Sequence, residues 1–248
     1  VAFLDISTGE FYMAEGDDRY IDKLMSNLSP KEVLYQRGCE QRFESSFGNR
    51  HYTYRLDDWV FSSDLNYDKL CQQFGTKSLK GFGVEGLKNG ISAAGAILYY
   101  LEFTEHREIS HIKNISRIDQ NEYVWVDKFT IRNLELFSSN SAQQKTGFAD
   151  VIDRTLTSMG GRLLKRWIAM PLISVERINR RLDIVECLTT DSDIAAALRE
   201  QISAVGDLER ISSRIAAGRV LPRELVQLKN SLSAVETLKA LLESTDKG

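Results

Sequence analysis

The sequence predicts an α/β unit over residues 1–127 followed by an all-helical unit over residues 128–248. Three observations carry that reading. Up to Asp127, runs that alternate with the two-residue period of a strand are interleaved with runs of helical period. Beyond it only helical periods recur. The charge balance shifts at the same place, from 14 Lys+Arg against 20 Asp+Glu before the boundary to 18 against 15 after it. At 248 residues the chain has room for two domains of ordinary size.

In the first unit, residues 1–6 and 10–16 read as two strands joined by the polar turn Ser7, Thr8, Gly9, a hairpin. From Asp17 the apolar residues Tyr20, Ile21, Leu24, Met25 and Leu28 recur at helical spacing and stop at Ser29 and Pro30. Residues 33–36 form a short strand, 51–56 another, and 57–74 a broken helix. Residues 89–105 make a strongly apolar helix through Ile91, Ala94, Ile97, Leu98 and Leu101, with Asn89 placed to cap it. Two extended stretches, 111–118 and 122–127, turn at Gln120 and Asn121 and close the unit.

In the second unit a polar loop over 138–145 precedes four or five helices, over 157–170, 174–188, 193–204, 207–218 and 222 to the end. Thr157, Ser174, Asp193 and Asp207 each offer a side-chain oxygen to an otherwise unpaired first-turn N–H. Pro222 suits a first helical turn. The last helix sets Leu225, Leu228, Leu232, Val235, Leu238 and Leu242 three or four residues apart, a stripe that has to be covered. It is expected to pack on the preceding helices near its start and to fray, or pair with a second copy, toward Leu238 and Leu242.

Composition narrows the functional classes. Hydrophobic residues at 42% and charged residues at 27% are those of a soluble domain that can bury a core. Neither half has the strong basic excess of a nucleic-acid-binding domain. Cys39, Cys71 and Cys187 are odd in number and widely spaced, which argues against a disulfide framework or a zinc site and fits a reducing cytoplasm. No apolar run is long enough to span a bilayer, and the first residues lack the basic start of a signal peptide. The start inside an apolar segment suggests a piece of something longer.

Catalytic readings find little support. Asp5, near the end of the first strand, stands where a ribonuclease H-like nuclease holds a metal-binding carboxylate. Two-metal chemistry needs several such groups converging, and Glu10, Glu85 and Glu102 cannot be shown to do so. Asp5 reads better as a strand-end turn residue. Glu105, His106, Glu108 and His111 cluster without a metal-ligand spacing. The phosphate-binding G-x-x-x-x-G-K-[ST] is missing; Gly75, Thr76, Lys77 and Ser78 resemble only its end. Gly81, Gly83 and Gly86 spell G-x-G-x-x-G with no strand before them, and read as a flexible loop. Arg154, Arg162, Lys165, Arg166, Arg177, Arg180 and Arg181 crowd one stretch. Phosphate contact is the sharp reading of that cluster, and pairing with acids of neighbouring domains is the favoured one.

Four segments, in order, resemble the MutS family of DNA mismatch repair proteins. They are Leu4-Asp5-Ile6-Ser7-Thr8-Gly9-Glu10-Phe11; Asp127, Thr130, Asn133, Leu134, Glu135 and Leu136; the run from Asp153 through Gly160, Gly161, Arg162, Leu163 and Leu164 to Trp167, closing at Pro171 and Leu172; and Asp207, Leu208, Glu209, Arg210, Ile211, Arg214 and Ile215. The opening hairpin resembles the bacterial type. The resemblance implies that residues 1–127 are a connector domain with an α/β ribonuclease H-like fold and no nuclease activity. It implies that residues 128–248 are the first part of an all-α core (lever) domain. Asp127, Asn133, Glu135, Arg162, Trp167, Asp207, Glu209 and Arg210 would be structural or interdomain residues, with no catalytic, cofactor or metal site in this stretch. ATP and Mg would belong to an ATPase domain elsewhere in the full-length homodimer, which contacts mismatched double-stranded DNA through other domains. MutL would dock on the connector, in the bacterial cytoplasm at the nucleoid. Phe103, Thr104 and Glu105 spell the family's mismatch-stacking Phe-x-Glu, but at a connector helix end, and the motif is discounted there.

Overall fold

The computed structural model describes residues 1–49, 51–104, 109–137 and 146–245. It divides into two compact units, Val1–Gln120 and Asn121–Gly248.

In the first unit β1 (Ala2–Asp5) and β2 (Glu10–Met13) form the antiparallel hairpin, in register from Ala2 opposite Met13 to Asp5 opposite Glu10. The turn closes because Gly9 N–H donates to the Asp5 carbonyl and Asp5 Oδ1 accepts from the Ser7 amide and hydroxyl. Gly9 sits at φ +78°, the left-handed region that glycine enters without strain. Helix α1 (Asp18–Leu28) starts where Asp17 accepts from the Tyr20 amide and ends at Ser29 in left-handed backbone. Its buried face is Tyr20, Leu24 and Met25. Next comes a compact parallel pair that the sequence reading only half resolves: β3 (Glu32–Gln36), α2 (Glu40–Phe47) and β4 (Tyr52–Leu56). Periodicity misses α2, which buries no residue and so leaves no apolar stripe to read.

After a 3-10 turn at Asp58–Phe61 come α3 (Ser63–Phe74) and α4 (Lys88–Phe103), and Ser116–Arg117, β5, returns to pair in parallel with β2. Among the described residues the strands form a three-stranded sheet, β1-β2-β5, and a separate two-stranded one, β3-β4. The core lies between the first sheet and α3 and α4, with Phe11, Met13, Leu70, Ile91, Leu98, Ile112 and Ile115 at its centre. Asn89 does not cap α4. The helix begins a residue earlier, and its first-turn Gly90 amide, which has no partner within the helix, is met instead by the Glu15 carboxylate at 2.8 Å, a cap supplied from just after β2. The run Gly81–Gly86 is better anchored than a flexible loop, since Leu79 just before it and Val84 within it are fully buried.

The second unit starts earlier than Asp127. Tyr123 bridges Leu172 in antiparallel fashion, Val124 N–H donates to the Pro171 carbonyl and Ile173 N–H to the Glu122 carbonyl. Those bonds tie residues 122–124 to the helical unit, so the extended stretch assigned from sequence to the first unit pairs within the second. Seven helices follow among the described residues: α5 (Lys128–Asn133), α6 (Phe148–Ile152), α7 (Ser158–Ala169), α8 (Val175–Thr190), α9 (Ser192–Ala204), α10 (Leu208–Ala216) and α11 (Pro222–Thr245). The loop expected over 138–145 lies outside the described residues. Thr157, Ser174 and Asp207 cap as expected, but Asp191, not Asp193, caps α9, accepting from the Asp193 and Ile194 amides.

Helix α11 departs most from expectation. Its packed face is Leu228, Ser231, Ala234 and Leu238, with Ser231 and Ala234 the buried pair, while Leu225, Leu232, Val235 and Leu242 of the leucine stripe are exposed. Ser231 and Ala234 are the small residues of that face, and Ser231 Oγ accepts from the Gly206 amide just before α10. It stays helical through Thr245 rather than fraying from Leu238.

The close approach of α3 and α4 is set by Gly95. A Cβ there would stand 2.3 Å from Asn66 Cβ, and Asn66 uses that space to donate to the Val60 and Ser92 carbonyls. Gly95→Ala improves helix preference by about 1 kcal/mol, yet it is expected to destabilise the chain by about 1 to 3 kcal/mol because Asn66 must move. Urea unfolding checks this: a midpoint at or above that of the parent chain would show that Asn66 packing does not fix the position.

Candidate functional site

The residues singled out from sequence gather in the second unit, around two local structures. The first is built on α7. Its sequence, Ser-Met-Gly-Gly-Arg, is capped by Thr157, whose Oγ1 accepts from the Gly160 amide, and this places Arg162 in the second turn. Arg162 faces the segment Gly206–Glu209. Its Nη1 and Nη2 donate to Asp207 Oδ2 and Oδ1, both at 2.8 Å, and Nη2 also donates to Glu209 Oε2 at 2.5 Å. The guanidinium and carboxylate planes thus meet as a two-pronged pair, a geometry lysine cannot supply.

Asp207 carries a second duty. Its Oδ1 also accepts from the Arg210 amide at 3.3 Å and so caps α10, and Arg210 Nε lies 3.7 Å from Oδ2. The side chains of Arg162 and Asp207 are 24% and 18% exposed, so the pair is screened only in part. Hydrogen bonds from Arg162 hold the Asp207 carboxyl below its ordinary range, outweighing the burial that opposes ionisation. The same bonds raise the Arg162 guanidinium, which stays charged at any accessible pH.

The junction extends to the long helix. Gly206 N–H donates to Ser231 Oγ at 2.9 Å, and Ser231 Oγ donates to the Gln227 carbonyl. Glu224 accepts from the Leu221 amide and from Arg214, tying the start of α11 to α10 and capping it. One segment of four residues therefore holds α7, α10 and α11. Sequence reasoning finds Arg162, Asp207, Glu209 and Arg210 but misses Ser231, Glu224 and Gly206. The available signal was Ser231 and Ala234 three apart among leucines, which marks a close helix contact.

The second local structure uses Asp127, Asn133 and Glu135. Asp127 Oδ1 accepts from the Thr130 amide and caps α5, and Asn133 is the exposed last residue of that helix. Glu135 adopts φ +49°, reversing the chain so that its carbonyl and that of Leu136 accept from the Phe148 and Ala149 amides. These are first-turn donors of α6, which the helix itself cannot satisfy. Asp150 reaches back to the Gly147 amide. Trp167 stands apart from both, at the outer face of α7, with the Arg181 guanidinium 3.5 Å above its ring.

The basic cluster is largely matched inside its own unit. Arg177 meets Glu122 at 3.4 Å, Arg180 meets Glu176, Lys165 lies 4.0 Å from Asp150, and Arg154 donates to the Val151 and Asp153 carbonyls. These partners lie within the helical unit. His111 Nε2 pairs with the Ile6 carbonyl; Glu105, His106 and Glu108 of the proposed cluster lie outside the described residues, as does the last residue of Phe103-Thr104-Glu105. Among the described residues no three acid, histidine or cysteine side chains converge on a metal position, and no helix is long and apolar enough to cross a membrane.

The chain is an α/β unit followed by a multi-helix unit whose helices are joined to one another by partly buried ion pairs and side-chain caps. The comparisons specify it. The family model for MutS domain II matches residues 1–113 and that for MutS domain III matches residues 129–248. Curated DNA mismatch repair proteins MutS from Phocaeicola vulgatus and Bacteroides thetaiotaomicron are each 52% identical, over 100% and 98% of this chain and 28% of their own length. That from Cytophaga hutchinsonii is 48% identical over 99% of this chain and 29% of its own. The chain belongs to the MutS family, carries its domains II and III, and spans little more than a quarter of the length of these relatives.

Removing the guanidinium strands two acids. Arg162→Ala is expected to cost about 2 to 3 kcal/mol, between the values for exposed and fully buried pairs, and an unchanged melting temperature would contradict it. Asp207→Asn keeps a capping side chain and isolates the charge. A carboxylate held below its ordinary pKa near 4 contributes stability above that pH and loses it as the pH falls through the depressed folded value. Between neutral pH and pH 2 the parent chain should therefore lose more stability than Asp207→Asn, measured by urea unfolding at each pH.

Proposed function

We propose that this chain is the non-catalytic coupling part of a DNA mismatch recognition protein. It links the nucleotide state of an ATPase domain elsewhere in the protein to the hold on mismatched duplex, and its first unit offers a docking surface for MutL. The observation that carries the reading is the Gly206–Glu209 junction, where Arg162, Asp207 and Ser231 hold α7, α10 and α11 on one segment. A load on the long helix reaches α7 through the short connection between α9 and α10, which Ser231, Arg162 and the α10 cap hold in place. Family membership and the printed function of the relatives, mismatch repair, support the same assignment.

On this reading the α/β unit is a connector of ribonuclease H-like descent, the full-length protein is a homodimer of the bacterial cytoplasm, and ATP with Mg is held outside these residues. The sequence holds no phosphate loop, so the chain itself is expected to hydrolyse no ATP. The competing reading, a ribonuclease H-like metal-dependent nuclease, is not favoured. Asp5 is exposed at a turn and engaged by Ser7, and no set of acids assembles around it among the described residues.

In the full-length protein, Arg162→Lys keeps the charge but loses the two-pronged geometry. It should slow ATP-triggered release of mismatched duplex by about tenfold, within the range of ordinary coupling energies. Nucleotide-free affinity for the mismatch and basal ATP hydrolysis should stay near those of the parent. Stopped-flow release from a labelled duplex checks this, and release at the parent rate would remove the junction from the coupling path. MutL docking is checked separately, by binding of MutL to this chain.

A further inference from the structure

We propose that the exposed aromatic surface around Trp59 docks a basic segment of a protein partner, one presenting lysine or arginine beside an apolar anchor. This gives the docking role a location and a partner chemistry, and it does not require that the partner be MutL.

The surface is built on a small second core, Leu56, Val60 and Ala96. Burial of Val60 in the 3-10 turn Asp58–Phe61 forces its neighbour Trp59 outward, where it is 56% exposed. The Trp59 ring meets Tyr99 of α4 edge-on at 4.9 Å, and Phe103, one turn further along α4, is also exposed. Leu65 of α3 is exposed one turn before Lys69, whose ammonium reaches Glu102 beside Phe103 at 2.7 Å. Tyrosine and tryptophan held by packing at their base and open at their outer face are the side chains that anchor interfaces most strongly. An indole face also binds a cation directly.

Charge selects the occupant. The basic residues beside the surface already have acids: Arg37 with Asp57 at 2.8 Å, Arg55 with Glu40 at 3.6 Å, and Lys69 with Glu102. Asp58, Asp64 and Asp68 are exposed, and among the described residues no basic side chain lies within ion-pair distance of them. An apolar surface with three unmatched acids at its border attracts a cationic peptide and repels a phosphate backbone. Stacking of nucleic-acid bases on Trp59 is thereby disfavoured.

The chain has three tryptophans, Trp59, Trp125 and Trp167, so the indole N–H signals in a nitrogen-proton correlation spectrum report the site against two internal controls. The probes are a helical peptide of leucine and lysine, its counterpart with glutamate for lysine, and duplex DNA. The lysine peptide should shift the Trp59 signal saturably and leave the other two in place, while the glutamate peptide and DNA should not. The triple variant Asp58→Asn, Asp64→Asn, Asp68→Asn, with its melting temperature checked, should bind the lysine peptide about tenfold more weakly. The proposal is overturned if the Trp59 signal does not move, if the glutamate peptide or DNA moves it equally, or if the triple variant binds as tightly as the parent. Failure of MutL to bind the chain would remove MutL as partner and leave these outcomes unaffected.

Discussion

The helical unit depends on one carboxylate that has more donors to satisfy than most. Asp207 receives two hydrogen bonds from Arg162 and one from the Arg210 amide. Each alone is a modest contribution, and charge-assisted bonds of this kind are the stronger sort. Their combination matters more than their sum, because the α10 cap and the attachment of α7 share the same atoms. Turning the Asp207 side chain to suit one partner takes it from the other. The orientation of α7 is therefore fixed by the start of α10, and the Gly206 amide bonded to Ser231 carries that constraint to α11.

The two units achieve order by different means. In the first, a continuous apolar core runs from Phe11 and Met13 through Leu98 to Ile115, and glycines set the spacing at the tightest approaches. The second has a thin core: α8 buries no residue, α7 buries only Ala169 and α9 only Leu198. With little apolar area removed from water, the hydrophobic contribution that dominates most folds is small here. Caps, ion pairs and the Ser231 contact then supply a larger share of the stability. Each family-like segment of the helical unit accordingly contains a polar residue with a structural bond. Asp127 caps α5, Glu135 reverses the chain onto α6, Thr157 caps α7 and Asp207 caps α10.

What was legible in the sequence follows the same physics. Helices with a capping side chain and a regular apolar period, such as α1, α7 and α10, are predicted to within a residue or two. Helix α2 has neither a side-chain cap nor a buried face and leaves no signal. The cap of α4 comes from Glu15, seventy-five positions away in sequence, so local reading places Asn89 there instead. The packed face of α11 takes Leu228 and Leu238 from the leucine stripe together with Ser231 and Ala234, small residues that a search for apolar spacing does not single out. Arg162, Asp207, Glu209 and Arg210 were legible as a set only because they recur together in a family resemblance. Nothing in spacing alone joins Arg162 to a carboxylate forty-five residues later.

A thin core with a shared polar junction has a consequence for coupling. Cores packed to high density resist graded deformation, whereas an interface held by a few directional bonds has few ways to rearrange and each involves a discrete loss. The Arg162–Asp207 pair is such a bond: its two-pronged geometry requires the guanidinium and carboxylate to face each other. A ligand acting elsewhere can shift the population of the made state only by its differential affinity for the two arrangements. That differential need not be large when the opposing cost is one partly screened ion pair and one helix cap, together a few kcal/mol. The arrangement that leaves this unit modestly stable by itself is the one that makes it responsive, under the coupling role proposed for it, to a force applied along α11.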